Sequence, residues 1–164
     1  MSDSIRALTP GDAALYRTIR LEALRLHPEA FGASWSEEAS ADEVFFAARL
    51  AANTVFGGFR DGVLIGTAGF RQETSAKLAH KAFFWGMFVR PEARGSGLSR
   101  GLVEAVLAHA RTRVELIQLK VVADNAPARR LYESLGFEPY GIEVRSLKVD
   151  GRYFDEVLMV KQPL

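Results

Sequence analysis

The segment from Met87 to Gly101 reads Met-Phe-Val-Arg-Pro-Glu-Ala-Arg-Gly-Ser-Gly-Leu-Ser-Arg-Gly: an apolar run breaks into a glycine loop and then takes a helical period. Residue types in that order can hold an anion. Gly95 and Gly97 carry no Cβ, so the backbone can adopt positive φ and bring its N–H groups close to a phosphate, and the following helix adds the positive end of its dipole. Arg94 and Arg100 flank the turn with fixed charge. Across residues 90–130 eight Arg or Lys stand against four acids, although the whole chain carries a net charge of only +1. A plain strand-to-helix turn has the same composition, and both readings stay open at this point.

Other chemistries for the same loop fail on spacing. Counted from Gly95, the third glycine of a dinucleotide fingerprint falls on Arg100, and a P-loop lacks its Gly-Lys-Ser/Thr ending. Gly97-Leu98-Ser99-Arg100-Gly101 matches a serine-hydrolase elbow, but that fold needs an acid and then a histidine downstream. After Ser99 the only histidine is His109, which precedes every later aspartate. His27, His80 and His109 are scattered without metal-ligand spacing, so no metal is expected.

Composition bounds the setting. A chain of 164 residues with 48% apolar content and no cysteine is read as one domain over 1–164 with a full core and no disulfide or thiolate chemistry. No signal-peptide core or membrane-length apolar run is present, which predicts a cytoplasmic protein without a membrane partner. The near-neutral charge argues against a nucleic-acid partner.

The elements that must position the loop follow from periodicity and turn chemistry. Ser4 to Leu8 is extended; Leu15, Ile19, Ala23 and Leu26 mark a helix that stops at Pro28; Ala41 to Ala51 is a second helix. Between them Glu29 to Ala39 reads as a loop whose Phe31 and Trp35 cap the core or line a cleft. Thr54–Phe59 and Val63–Phe70 form a hairpin across Asp61-Gly62, and Leu78–Val89 is a third strand of that group. A helix opens near Leu98, Glu115–Val122 is a buried strand, and Asn125 caps a short helix ending at Gly136. Ile142–Val149 and Tyr153–Val160 close the chain as a hairpin across Asp150-Gly151. The fold class is α/β (α+β): a mixed, mostly antiparallel central sheet of about seven strands with helices on both faces. The Glu115 strand can run parallel to the one ending at Val89 because a helix crosses between them.

Val89 to Ser99 resembles the coenzyme A pyrophosphate motif of the GNAT superfamily, the acetyl-coenzyme A-dependent N-acetyltransferases. Asn125-Ala126-Pro127-Ala128-Arg129-Arg130-Leu131-Tyr132-Glu133-Ser134-Leu135-Gly136-Phe137 resembles that family's second signature, at the expected separation. Arg94, Gly97 and Ser99 stand at the three defined positions of the pyrophosphate loop, Ser99 departing from the usual glycine or alanine. The resemblance implies acetyl-coenzyme A as co-substrate, held by Arg94, Gly95, Ser96, Gly97, Leu98, Ser99 and Arg100, with Met87, Phe88 and Val89 beside the pantetheine arm and Asn125 bonded to it. It implies direct attack of an amine on the thioester, with Tyr132 as general acid. Glu37, close to Trp35 in the loop expected on the acceptor side, is slightly preferred as base over Glu22, Glu73, His80 or a water chain. The implied partner is a small-molecule or peptide amine; pairing as a homodimer stays open. A non-catalytic acyl-coenzyme A sensor on the same fold is the rival reading.

Overall fold

The turn dipeptides close where the sequence places them. Asp61 and Gly62 sit at φ 48° and 81°, and Asp150 and Gly151 at 50° and 79°, the left-handed pairs that match the twist of tight hairpins. They join β2 (Thr54–Arg60) to β3 (Val63–Gln72) and β6 (Glu138–Val149) to β7 (Arg152–Lys161). With β1 (Asp3–Ala7), β4 (Lys81–Val89) and β5 (Leu116–Val122) they form one seven-stranded sheet in the order β1-β2-β3-β4-β5-β7-β6. Neighbouring strands are antiparallel except β4 and β5, which run parallel. This computed structural model describes residues 2–164. Among them no helix is long and apolar enough to cross a membrane.

Helices cover both faces. α1 (Ala13–Leu26), the short α2 (Trp35–Ala39) and α3 (Glu43–Ala52) lie on one side. Tyr16, Ile19 and Ala23 of α1 and Phe46 and Leu50 of α3 are buried with Val55, Phe59 and Leu64 of the sheet. α4 (Leu98–Arg111) and α5 (Ala126–Ser134) supply the other core, where Leu102, Val103, Val106 and Tyr132 pack with Ile65, Phe70, Phe84, Ile117 and Met159. Strand alternation serves both: Leu64 belongs to the first core and Ile65 to the second, as a two-residue period requires.

Three boundaries differ from the sequence expectation. The reach 29–39, expected as loop, contains α2, whose N-cap Ser34 accepts from the Glu37 N–H; a helix of five residues is too short to display a period. β4 begins at Lys81 rather than Leu78, because Leu78 and Ala79 turn back onto the Ser75 carbonyl. β6 starts at Glu138 rather than Ile142 and includes Pro139. It is tolerated because β6 is an edge strand, where a missing N–H breaks no ladder bond.

Two irregularities in the middle of the sheet create the site. Thr67 pairs with Phe88 but Gly69 pairs with Trp85, so β4 carries an extra residue there. Gly86 takes φ 65°, a conformation glycine adopts without strain and a usual mark of a bulge. The Thr67 hydroxyl holds the Gly86 carbonyl at 3.1 Å. β4 and β5 are in register only from Lys81/Leu116 to Phe83/Gln118. Beyond that point the two strands part, and β5 continues its ladder with β7 alone.

Gly69 fixes the wall of the resulting gap. A Cβ there would stand 2.5 Å from Trp85 Cε2, so the indole lies flat on bare backbone. Gly69→Ala is expected to destabilise the fold by about 1–3 kcal/mol, as overpacking does, and to shift tryptophan emission. Urea unfolding with fluorescence detection checks both, and an unchanged midpoint and spectrum would refute the close fit.

Candidate active site

The gap between β4 and β5 opens into a cleft of 820 Å³, within the size range of small-molecule sites. Its walls carry Phe84 to Val89 of β4, Lys120 to Val122 of β5, the first turns of α5, and the residues after α1. The carboxyl ends of adjacent parallel strands are where ligands enter α/β sheets. Here the separation exposes the edge of β4 from Phe84 onward on its β5 side, backbone that is free to pair with an amide-bearing chain.

At one end lies the glycine loop. Gly95 and Gly97 take φ 75° and 90°, and Gly97 serves as the N-cap of α4 without any side-chain cap. Among the described residues no backbone carbonyl accepts from the N–H of Gly95, Ser96 or Gly97. The first-turn N–H groups of a helix have no partner within it. Together these donors stand unpartnered at the positive end of a 14-residue helix, an arrangement able to hold an anion. A Cβ on either glycine would meet no atom within 4 Å, so it is φ, not space, that requires glycine.

Arg94 crosses from this loop, its Nε donating to the Val89 carbonyl at 3.1 Å and its Nη2 to His27 Nε2 at 2.9 Å. Ser99 lines the cleft together with Gly95, Arg94, Met87, Phe88 and Val89. Ser96, Gly97, Leu98 and Arg100 are not in its wall. The Ser96 hydroxyl is bonded to the Ala93 carbonyl. The Leu98 side chain is buried against Gly58, so only its backbone is available to a ligand. Arg100 points away, to Ser134 at 3.1 Å and Glu104 at 3.5 Å.

At the other end Asn125 caps α5, its Oδ1 accepting from the Ala128 N–H at 3.3 Å, and lines the cleft. Tyr132 follows on the inner face of α5. Its ring stacks edge-on with Phe84 at 5.6 Å and Phe137 at 5.8 Å, and burial pushes the hydroxyl above its ordinary pKa of 10.0. Among the described residues that hydroxyl has no hydrogen-bond partner. Among the described residues Trp85 Nε1 is the sole fully buried side-chain polar atom without a partner, so the Tyr132 oxygen keeps contact with the cleft it lines.

Glu37 is not brought to this cleft. It is exposed on α2, while the neighbouring Glu38 turns inward between Arg20 and Arg49; one step along a helix rotates the side chain by about 100°. Glu22 pairs with Arg90 at 2.9 Å, and Glu73 and His80 are likewise absent from the wall. Phe31 lines it, one of the two roles the sequence left open for that ring, as does Lys120, and so do His27, Gly86, Arg152 and Phe154, which the sequence did not mark as cleft residues. Of the last four only Gly86 carried a readable signal, a lone glycine inside an apolar strand.

The fold is shared with solved structures of low identity. The acetyltransferase of the GNAT family from Streptococcus pneumoniae superposes with a TM-score of 0.87 at 20% identity, covering 98% of this chain and 99% of that one. YncA from Salmonella typhimurium, solved with its cofactor acetyl-CoA, has a TM-score of 0.84 at 24% identity over 100% of this chain and 95% of that one. In sequence, the mycothiol acetyltransferase of Thermobispora bispora is 49% identical over 57 residues, which span 34% of this chain and only 19% of that protein. The spermidine N(1)-acetyltransferase of Vibrio cholerae is 33% identical over 78 residues, 46% of this chain and 45% of that one. The family model for the acetyltransferase (GNAT) family matches residues 20–137, a range that holds both the glycine loop and Tyr132, and the chain belongs to that family.

Proposed function

We propose that the protein transfers the acetyl group of acetyl-CoA to a primary amine by direct attack. The observation that carries this reading is the sequence of features along one cleft. Unpartnered N–H donors at Gly95–Ser99 suit the pyrophosphate, the edge of β4 at Met87–Val89, which β5 leaves unpaired although Arg94 takes the Val89 carbonyl, suits the amides of the pantetheine arm, and the partnerless Tyr132 hydroxyl lies beyond them. The relatives named for mycothiol and spermidine acetylation and the neighbour solved with acetyl-CoA support the same donor and an amine acceptor.

In the proposed step the amine lone pair forms the N–C bond at the thioester carbonyl. The tetrahedral adduct collapses with cleavage of C–S, and Tyr132 supplies the proton or hydrogen bond that the departing thiolate requires. The ammonium proton leaves to water, and solvent reprotonates the tyrosine. The acceptor decides how much base is needed: at pH 7 a lysine-like amine costs about 4–5 kcal/mol to deprotonate, an α-amine about 1 kcal/mol. With Glu37 outside the cleft, cleft water takes the proton of either kind of acceptor.

Calorimetric titration with acetyl-CoA tests the reading. The wild-type protein is expected to bind, and Gly97→Ala to bind about tenfold more weakly, because a Cβ at left-handed φ costs about 1–2 kcal/mol when the N–H groups are aligned on the ligand. No heat at millimolar acetyl-CoA would end the proposal. Binding with no thiol released across an amine panel would favour the acyl-CoA sensor instead.

A further inference from the structure

Beneath the acceptor side of the cleft lies a charge cluster that nothing in the proposed reaction uses. Glu38 is buried at 6% exposure and accepts from Arg20 Nε and Nη2 at 3.0 and 3.1 Å, and from Arg49 Nη1 and Nη2 at 2.9 and 3.2 Å. Two guanidiniums thus share one carboxylate. Tyr16, the other titratable group packed there, is kept neutral because burial raises its pKa despite the nearby arginines. The cluster therefore carries an excess positive charge, and burying an uncompensated charge is costly unless an anion completes it.

One donor of the cluster is unspent. Arg20 is itself only 8% exposed, both its Nε and Nη2 bond to Glu38, and Nη1 has no partner among the described residues. Nη1 stands 3.7 Å from where a Cβ of Gly86 would be. Gly86 is the bulge residue on the cleft wall, so a bare backbone position separates this donor from the cleft. Nη1 is not among the fully buried unpartnered atoms, although Arg20 itself lies behind the cleft wall and not in it. The guanidinium is fixed between the Phe31 ring at 5.3 Å and the Trp85 ring at 5.8 Å, and both aromatics line the same cleft.

We propose that Arg20 is the specificity residue for the acceptor and that the acceptor carries a carboxylate beside its amine, as an amino acid does. The carboxylate takes the free Nη1 donor over Gly86 and neutralises the cluster, which leaves the adjacent amino group at the bulge where β4 and β5 part. This rests on the acetyltransferase reading. A polycation is rejected by the same excess charge, and the aromatic walls suit an apolar side chain.

The test is a thiol-release assay on matched pairs, phenylalanine with phenethylamine and leucine with isopentylamine, with spermidine as the polycation. The carboxylated member of each pair is expected to have the higher kcat/KM. Arg20→Gln and Arg20→Lys are expected to erase that preference by on the order of 10–100-fold, through KM, the range in which a charged hydrogen bond discriminates. Arg49 still pairs Glu38 in either variant. Should Arg20→Gln not fold, Arg20→Lys carries the comparison, since an ammonium keeps the charge but cannot hold Glu38 by two prongs and reach Gly86 together. Faster acetylation of the decarboxylated amines or of spermidine, or an equal fall in kcat for both members of a pair, overturns this proposal alone. Acetyl-CoA binding without thiol release from any acceptor overturns the acetyltransferase reading, and this one with it.

Discussion

Replacing Tyr132 with phenylalanine is expected to lower kcat by about 100-fold, the lower range for a positioned general acid, with the dissociation constant for acetyl-CoA changed by less than about twofold. The substitution is clean because the hydroxyl has no partner among the described residues, so its removal orphans none of them, and the ring keeps its contacts with Phe84 and Phe137. The size of the effect follows from electrostatics more than from acidity. A phenol and a thiol differ by about 1.5 pKa units, so complete transfer is uphill by about 2 kcal/mol even in water, and the burial that raises Tyr132 makes it steeper. Donation to the charge developing on sulfur is what remains, and from a side chain as buried as Tyr132 a fixed donor is worth more than water.

The same burial has a consequence for pH. A hydroxyl whose pKa lies above 10.0 stays protonated throughout the neutral and alkaline range, so the rate should rise with pH as the acceptor amine loses its proton and should not fall before about pH 10. Single-turnover and steady-state rates across pH 6–10 on wild type and Tyr132→Phe measure both effects. A loss in kcat smaller than about threefold would assign Tyr132 to the core and not to the chemistry.

The second large effect is on stability. Glu38→Gln leaves Arg20 and Arg49, with side chains 10% and 18% exposed, facing a neutral amide, and breaking a buried pair in this way costs about 3–5 kcal/mol. Urea unfolding measures it, and a loss below about 1 kcal/mol would place the cluster in the weak class of solvated surface pairs. Burial pushes the Glu38 carboxyl up, but hydrogen bonds from Arg20 and then Arg49 outweigh it, so its pKa in the fold lies below the ordinary 4.5. A depressed carboxyl pKa stabilises the fold above the unfolded value, and the contribution disappears as pH falls through the folded one. Wild-type stability should therefore drop below about pH 4.5, and Glu38→Gln should lack that component.

Much of this was legible in order along the chain because it depends on neighbours in sequence. Asp61-Gly62 and Asp150-Gly151 dictate hairpins through their own φ angles, Asn125 caps the helix that it opens, and the glycine loop precedes an amphipathic helix whose first N–H groups must be unpaired. These local rules yielded the order of the longer elements, the glycine loop at the start of α4 and the helix that carries Tyr132. They could not yield Glu38 in place of Glu37, because α2 has five residues and no period from which its inner face can be read. Nor could they yield the free donor of Arg20, which sits beside Ile19 on α1 but acquires its meaning from Gly86, 66 positions later.

By itself, then, the amino-acid sequence determined the tight turns, the longer helices, the existence of the strands and the glycine loop that opens α4. Only the tertiary structure decided where β4 and β5 cease to pair, which atoms are left without partners, and which charges meet in the interior. Backbone angles and caps are set within a few residues, whereas strand divergence and desolvation are set by groups far apart in the chain, whose balance of burial and hydrogen bonding exists only once they have come together.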